Sequence, residues 1–321
     1  MKKLPSISVQ INEKTIHRII KKNFSKLAPF YYNLINNWLI RAYSHYKDID
    51  KFIIIIYLIN KDLIFFRRNG LIIDYDTFYK DKTVEVEKIN ISDISKDLQI
   101  PKESIRRKVI ELEKKGIIKK TGKKIFVDRS AFYAAQSFNT LKDLTVLLHE
   151  FSKVLKKDKI GERVFEPNEI SDSIKNNFSF CWYQFYKFLF IFTNRWRAQV
   201  KDLETFCVGF LVMLNASHNK SFRVKDLNIA KYQKLVMSAD NIGLNALSIS
   251  EITKIPRPTV VRKLQYLIDN DYLSINEKKL ITVNIRGNAF KISTDLQNKN
   301  IINFSNFVFR IFNQIKVFKS N

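Results

Sequence analysis

The chain has 321 residues, with 56 Lys and Arg against 31 Asp and Glu and a formal net charge of +25. So basic a polypeptide seeks a polyanion, of which nucleic acid is the commonest. Its length predicts two cores rather than one, and its longest apolar runs, 52–59 and 206–214, are too short to span a bilayer, so no membrane partner is expected.

From the N-terminus, Phe24, Ala28, Tyr31, Ile35, Trp38 and Ala42 recur at spacings of four and three. They form one stripe of a long helix, which Pro29 should start or bend. A second helix is expected from Asp48, whose short carboxylate can accept from the unpaired amides of a first turn; Ile49, Phe52, Ile53 and Ile56 give it a buried face.

The segment 91–127 reads as two helices and a hairpin. Ser92 or Asp93 caps a short helix running to about Leu98, Ile100-Pro101 breaks it, and a second helix begins near Lys102. Within that helix Ile105, Val109 and Leu112 face inward, which leaves Lys102, Ser104, Arg106 and Arg107, joined by Lys108, as the outward basic set. Gly116 supplies a left-handed cap. A strand opens at Ile117 and Ile118, turns at Thr121-Gly122 and returns over 125–127, with Lys119, Lys120, Lys123 and Lys124 around it. An apolar helix over about 131–155 follows.

A linker at 158–167, holding Gly161 and Pro167, separates a first unit, 1–157, from a second, 168–321. The second unit repeats the plan. Phe178, Trp182, Phe185, Leu189, Phe192 and Trp196 reproduce the first stripe, and Asp202 opens a helix buried through Leu203, Phe206, Cys207 and Phe210. Over 246–283, Ser248 with Glu251 forms a capping box, Ile255-Pro256 forms the turn, and Val260, Leu264 and Leu267 anchor the next helix. Arg257, Thr259, Arg262 and Lys263 make its basic set, and Lys278 and Lys279 sit on the wing. A last helix, 301–318, carries Phe304, Phe307, Val308, Ile311, Phe312 and Ile315 at helical spacing.

The repetition is residue by residue. At an offset of 154, Lys21, Asn23, Phe24, Ser25, Arg41, Lys47, Asp48 and Phe52 meet identical residues; at 155, Ile94, Ser95, Ile100, Pro101, Arg107, Lys108 and Leu112 do the same. Biased composition inflates such matches, but their collinear order over more than 100 residues indicates a duplication.

An apolar-backed helix with a basic front is what the major groove accepts, and lysines on a two-stranded wing suit phosphates without reading sequence. From Lys102 to Lys124 there are ten basic and three acidic residues, net +7, while Arg257 to Lys279 has five and three, net +2. The first module is therefore expected to dominate affinity. Because Lys102-Glu103-Ser104 differs from Arg257-Pro258-Thr259, the two half-sites should differ in sequence.

The run ISEITKIPRPTVVRKL resembles the helix-turn-helix of bacterial winged-helix regulators of the isocitrate-lyase-regulator type. The layout of each half is similar to that of the multiple-antibiotic-resistance-regulator (MarR) family. In that family two subunits associate through N- and C-terminal helices and place two winged helices on a palindrome. The resemblance implies a mainly α fold with small β wings: two tandem winged helix-turn-helix domains packed through long terminal helices, a pseudo-twofold dimer fused into one chain. It also implies a monomeric transcriptional regulator of double-stranded DNA. Neither wing has the acidic and arginine turn usual in that family, so wing contacts do not transfer residue by residue.

Other classes carry less. The aromatic stripe suits core packing better than an effector pocket among Trp182, Phe185 and Tyr186. Cys181 and Cys207 read as buried hydrophobes in a reducing compartment, and His17, His45, His149 and His218 assemble no zinc spacing. None of the seven glycines falls in a phosphate-cradling loop, and the N-terminus lacks the apolar core of a secretory signal. A cytoplasmic, non-enzymatic chain without cofactor or metal is expected. Replication initiators with two winged helices, and winged-helix scaffolds that bind proteins, are the competing readings.

Overall fold

The computed structural model describes residues 11–80, 83–86, 90–121, 124–128, 137–161, 163–217, 227–237 and 243–317. Gly122, Lys123, the start of the helix expected over 131–155, His218 and Phe318 lie outside them.

The chain is mainly helical, with small antiparallel sheets. Asn12 caps α1 (Glu13–Lys22), accepting from the Lys14 amide at 2.8 Å. Next comes α2 (Phe24–Tyr46), which holds Pro29 inside it rather than at its start. Asp48 caps α3 (Ile49–Arg68) through the Lys51 amide at 3.2 Å, as its sequence position predicts. There follow α4 (Tyr75–Lys80), β1 (Thr83–Val86), α5 (Ile91–Leu98), α6 (Lys102–Lys114), β2 (Ile118–Thr121), β3 (Lys124–Asp128) and α7 (Ser137–Lys157). The second half runs α8 (Pro167–Asn176), α9 (Phe178–Val200), α10 (Leu203–Ser217), α11 (Ile229–Met237), α12 (Ala246–Thr253), α13 (Arg257–Asp269), β4 (Leu273–Ile275), β5 (Ile281–Val283) and α14 (Asn288–Val317).

The element starts reproduce the sequence repeat. Glu13 to Pro167, Phe24 to Phe178, Ile49 to Leu203 and Tyr75 to Ile229 are each a step of 154; Ile91 to Ala246, Lys102 to Arg257 and Ile118 to Leu273 are each a step of 155. Two expected caps are displaced. Asn90 caps α5 through the Asp93 amide at 3.0 Å, and Asn245 caps α12 through the Ser248 amide at 2.8 Å. Both helices start earlier than Ser92 and Ser248 suggest, because an asparagine as good at capping stands just before each.

The two halves interlock. Helix α2 packs on α10 and α9 on α3, while α1 packs on α14 and α8 on α7. One polar exchange is made twice: Ser25 N donates to the Leu227 carbonyl at 3.1 Å and Leu227 N to the Ser25 hydroxyl at 2.9 Å, and Ser179 N donates to the Ile73 carbonyl at 3.0 Å and Ile73 N to the Ser179 hydroxyl at 2.9 Å. Between the halves, Tyr31 lies on Phe304 with centroids 4.2 Å apart. The buried side chains of both halves belong to one cluster. Sequence periodicity assigns α3 a single buried face, yet every residue over 52–59 is buried, since α9 of the other half covers the far side. A helix apolar all round is a helix covered all round.

The described part of 158–167 is packed through Phe165. Phe165 is buried against Phe312, centroids 5.4 Å apart, and its carbonyl bonds the His149 ring at 2.7 Å. Trp182, Phe185 and Tyr186 are core residues, their rings against Phe178, Phe307 and Phe190. Cys181 and Cys207 are free and buried, and burial pushes both thiols up, Cys207 to about 12. Among the described residues no helix is long and apolar enough to cross a membrane, and no cluster of His, Cys, Asp and Glu could hold a metal.

Each helix pair is followed by a hairpin. In the first half β3 pairs antiparallel with β2 (Ile118 opposite Val127) and with β1 (Val86 opposite Ile125). Sequence reading missed β1. In the second half β4 pairs with β5, and the third strand shrinks to a bridge between Leu244 and Ile281.

Candidate nucleic-acid interface

The geometry of each helix pair follows largely from residues identical in the two copies. Ile94 and Ile249 are buried anchors, as are Leu112 and Leu267. At the turn, Gln99 and Lys254 take left-handed backbone, with φ of 54° and 62°. The Ser95 hydroxyl donates to the Ile100 carbonyl at 2.7 Å, and Ser250 does the same to Ile255 at 2.7 Å. Ile100 and Ile255 point into the core, and Pro101 and Pro256 each start the next helix.

Lys108 and Lys263, expected in the outward basic set, point inward, which corrects that assignment. The Lys108 ammonium pairs with Asp48 and lies 3.9 Å from Asp50, and Lys263 pairs with Asp202 at 2.7 Å and with the Thr205 hydroxyl at 3.1 Å. Burial pushes the Asp202 carboxyl up, but the Lys263 bond and charge, with the Thr205 amide, hold it below the ordinary carboxylate range. The physical reason is register: Lys108 is three residues after Ile105 and four before Leu112, so it shares their buried stripe. A further link between α3 and α6 is an ion pair of Lys51 with Glu111.

The remaining expected residues stay at the surface. Lys102, Arg106, Arg107, Lys119, Lys120 and Lys124 are exposed in the first module, as are Arg257, Arg262, Lys278 and Lys279 in the second; Ser104 and Thr259 are half-buried. Lys123 lies outside the described residues. Three of the first module's cations have acidic neighbours that the sequence reading did not pair with them: Arg106 with Glu103 at 3.0 Å, Lys120 with Glu113 at 3.8 Å and Lys124 with Glu85 of β1 at 2.6 Å. Such exposed pairs are weak and yield to a stronger anion. Arg107 and Arg262 occupy equivalent positions and hold no ion pair among the described residues.

The first module is also gripped by the other half. From α9, Arg197 bonds Asp50 at 2.6 Å and the Leu98 carbonyl at 2.8 Å, and Asn194 bonds the Asp97 carbonyl at 2.9 Å. The equivalent positions on α2 are Tyr43 and Ile40, an Ile with no side-chain donor and a Tyr whose single hydroxyl could not hold both acceptors as Arg197 does. Near Arg197, Glu204 accepts from the Ile49 amide at 2.8 Å. Burial, with the charges of Asp50, Asp48 and Asp202, pushes its carboxyl up to about 7 against that hydrogen bond.

The arrangement can present two cationic helices and two hairpins to an anion. Comparison with protein-family models, with curated proteins and with solved structures finds no match to this chain.

Proposed function

We propose that the protein binds double-stranded DNA and regulates transcription through two winged helix-turn-helix modules, fused in one chain as a pseudo-twofold dimer. The observation that carries this reading is the fate of the repeated residues. Among the identities in the helix-turn-helix, Ile94, Ser95, Ile100, Pro101, Lys108 and Leu112 and their counterparts each serve folding. Arg107 and Arg262 make no hydrogen bond or ion pair among the described residues, Arg107 lending only its charge to the neighbouring Glu111, and both sit exposed on the helix that would enter the major groove. The net charge of +25 supplies the long-range attraction. The reading needs no cofactor, metal or enzymatic step.

Binding of the full chain to duplex fragments, followed by fluorescence anisotropy between about 50 and 200 mM salt, tests it. Six or more phosphate contacts should cost roughly a thousandfold in affinity over that range. Weak retention that ignores salt would sink the proposal. One observation favours a protein partner for the second module: Leu247, Ile252 and Ile275 are exposed there, where the first module has Ser92, Asp97 and Lys120.

A further inference from the structure

Helices α6 and α13 differ in the first half of their exposed faces. The step of 155 places Val261 where α6 carries Arg106, and Val261 is 48% exposed on a helix whose flanking cations, Arg257 and Arg262, are exposed too. One turn later the pattern inverts. Ile110 of α6 is 42% exposed, whereas its counterpart Gln265 bonds Asp269 at 2.7 Å.

An isopropyl group kept in water on a helix that also exposes two arginines calls for a surface that is anionic overall with one apolar spot. The major groove offers that combination: phosphates line it, and the C5 methyl of thymine is its apolar feature. A guanidinium at the same place is matched instead by the O6 and N7 acceptors of guanine. Both residues stand fifth in their 13-residue helices, in the N-terminal part that reaches base edges when such a helix docks.

We propose that Val261 is a specificity-determining residue that packs on a thymine methyl in one half-site, while Arg106 bonds guanine at the symmetry-related position of the other. The bound sequence is then asymmetric at that base pair. This inference rests on the duplex-binding reading above.

The test uses the full chain, with Val261→Ala and Val261→Arg. Bound duplexes are selected from a random pool, and each thymine of the selected sequence is then replaced by uracil, which lacks only the methyl group. For the unaltered chain, one such replacement should weaken binding roughly fourfold, the worth of one buried methyl group. In Val261→Ala the same replacement should have almost no effect, and Val261→Arg should select guanine in both half-sites. Selective binding that is indifferent to uracil, or a motif unchanged by Val261→Arg, overturns the inference and leaves DNA binding intact; the second outcome would fit an apolar protein contact at Val261. Failure of the unaltered chain to bind any duplex at low salt overturns both.

Discussion

Arg107 and Lys108 are neighbours in sequence with opposite fates, and the same holds for Arg262 and Lys263. Lys108→Ala would leave Asp48 without its ammonium in a largely buried setting, Asp50 keeping its bond to Arg197; the expected loss is on the order of 2 kcal/mol, read as a lower melting temperature. Arg107→Ala should leave the melting temperature unchanged, weaken DNA binding and reduce the salt slope by about one. If both variants melt like the unaltered protein, the anchoring role of Lys108 is wrong. The inward turn of Lys108 was half legible: its spacing from Ile105 and Leu112 put it on the buried stripe. Its partner Asp48, 60 residues away, could not be read from spacing.

At the scale of elements, the turns were legible and the neighbours were not. Ile-Pro at 100–101 and 255–256 marked the break in each helix pair because proline disfavours helical backbone before it. The caps went to Asn90 and Asn245, because more than one capping residue stood near each helix start. The third strand β1 was missed, since four residues, Thr83–Val86, carry too little alternation to stand out. It matters for the interface, as it brings Glu85 to Lys124. On net charge the first module should dominate: replacing Arg106 and Arg107 together by Ala should lower affinity more than Arg262→Ala does. Equilibrium titrations of the two variants decide it, and unchanged binding in the double variant beside abolished binding in Arg262→Ala would reverse the ranking.

At the scale of the molecule, the two halves share their core and their charges. Residues 1–157 expressed alone should expose the side of α3 that α9 covers and should fail to give a folded monomer; a sharp thermal transition from that fragment would count against the shared core. Glu204 sits where the starts of α3 and α10 meet, faced by Asp50 of α3, by the capping residues Asp48 and Asp202, and by Tyr43 and Cys207, with Arg197 bound to Asp50. Its carboxyl titrates near 7 in the native state, above the ordinary value, so folding favours its protonated form. This contribution to stability is fully present below the ordinary carboxylate value, falls as pH rises to about 7 and is constant above. Glu204→Gln keeps an acceptor for the Ile49 amide and removes the titration. It should raise the melting temperature at about pH 8 and leave it nearly unchanged at about pH 5; an equal shift at both would show that Glu204 does not titrate in this range.

The sequence by itself determined the helical character, the repeat, the turns and the inner stripes of α6 and α13, because these depend on local periodicity and on backbone limits imposed by proline. It also nominated the exposed arginines, since a residue opposite an apolar stripe points to solvent. Only the tertiary structure decided which cations are free, which helices are covered on both sides, and that α9 grips the first module through Arg197 and Asn194. Those outcomes depend on groups distant in sequence, and a lysine's charge is the same whether the anion it meets is a nucleic acid's phosphate or, like Asp48, a carboxylate within its own fold.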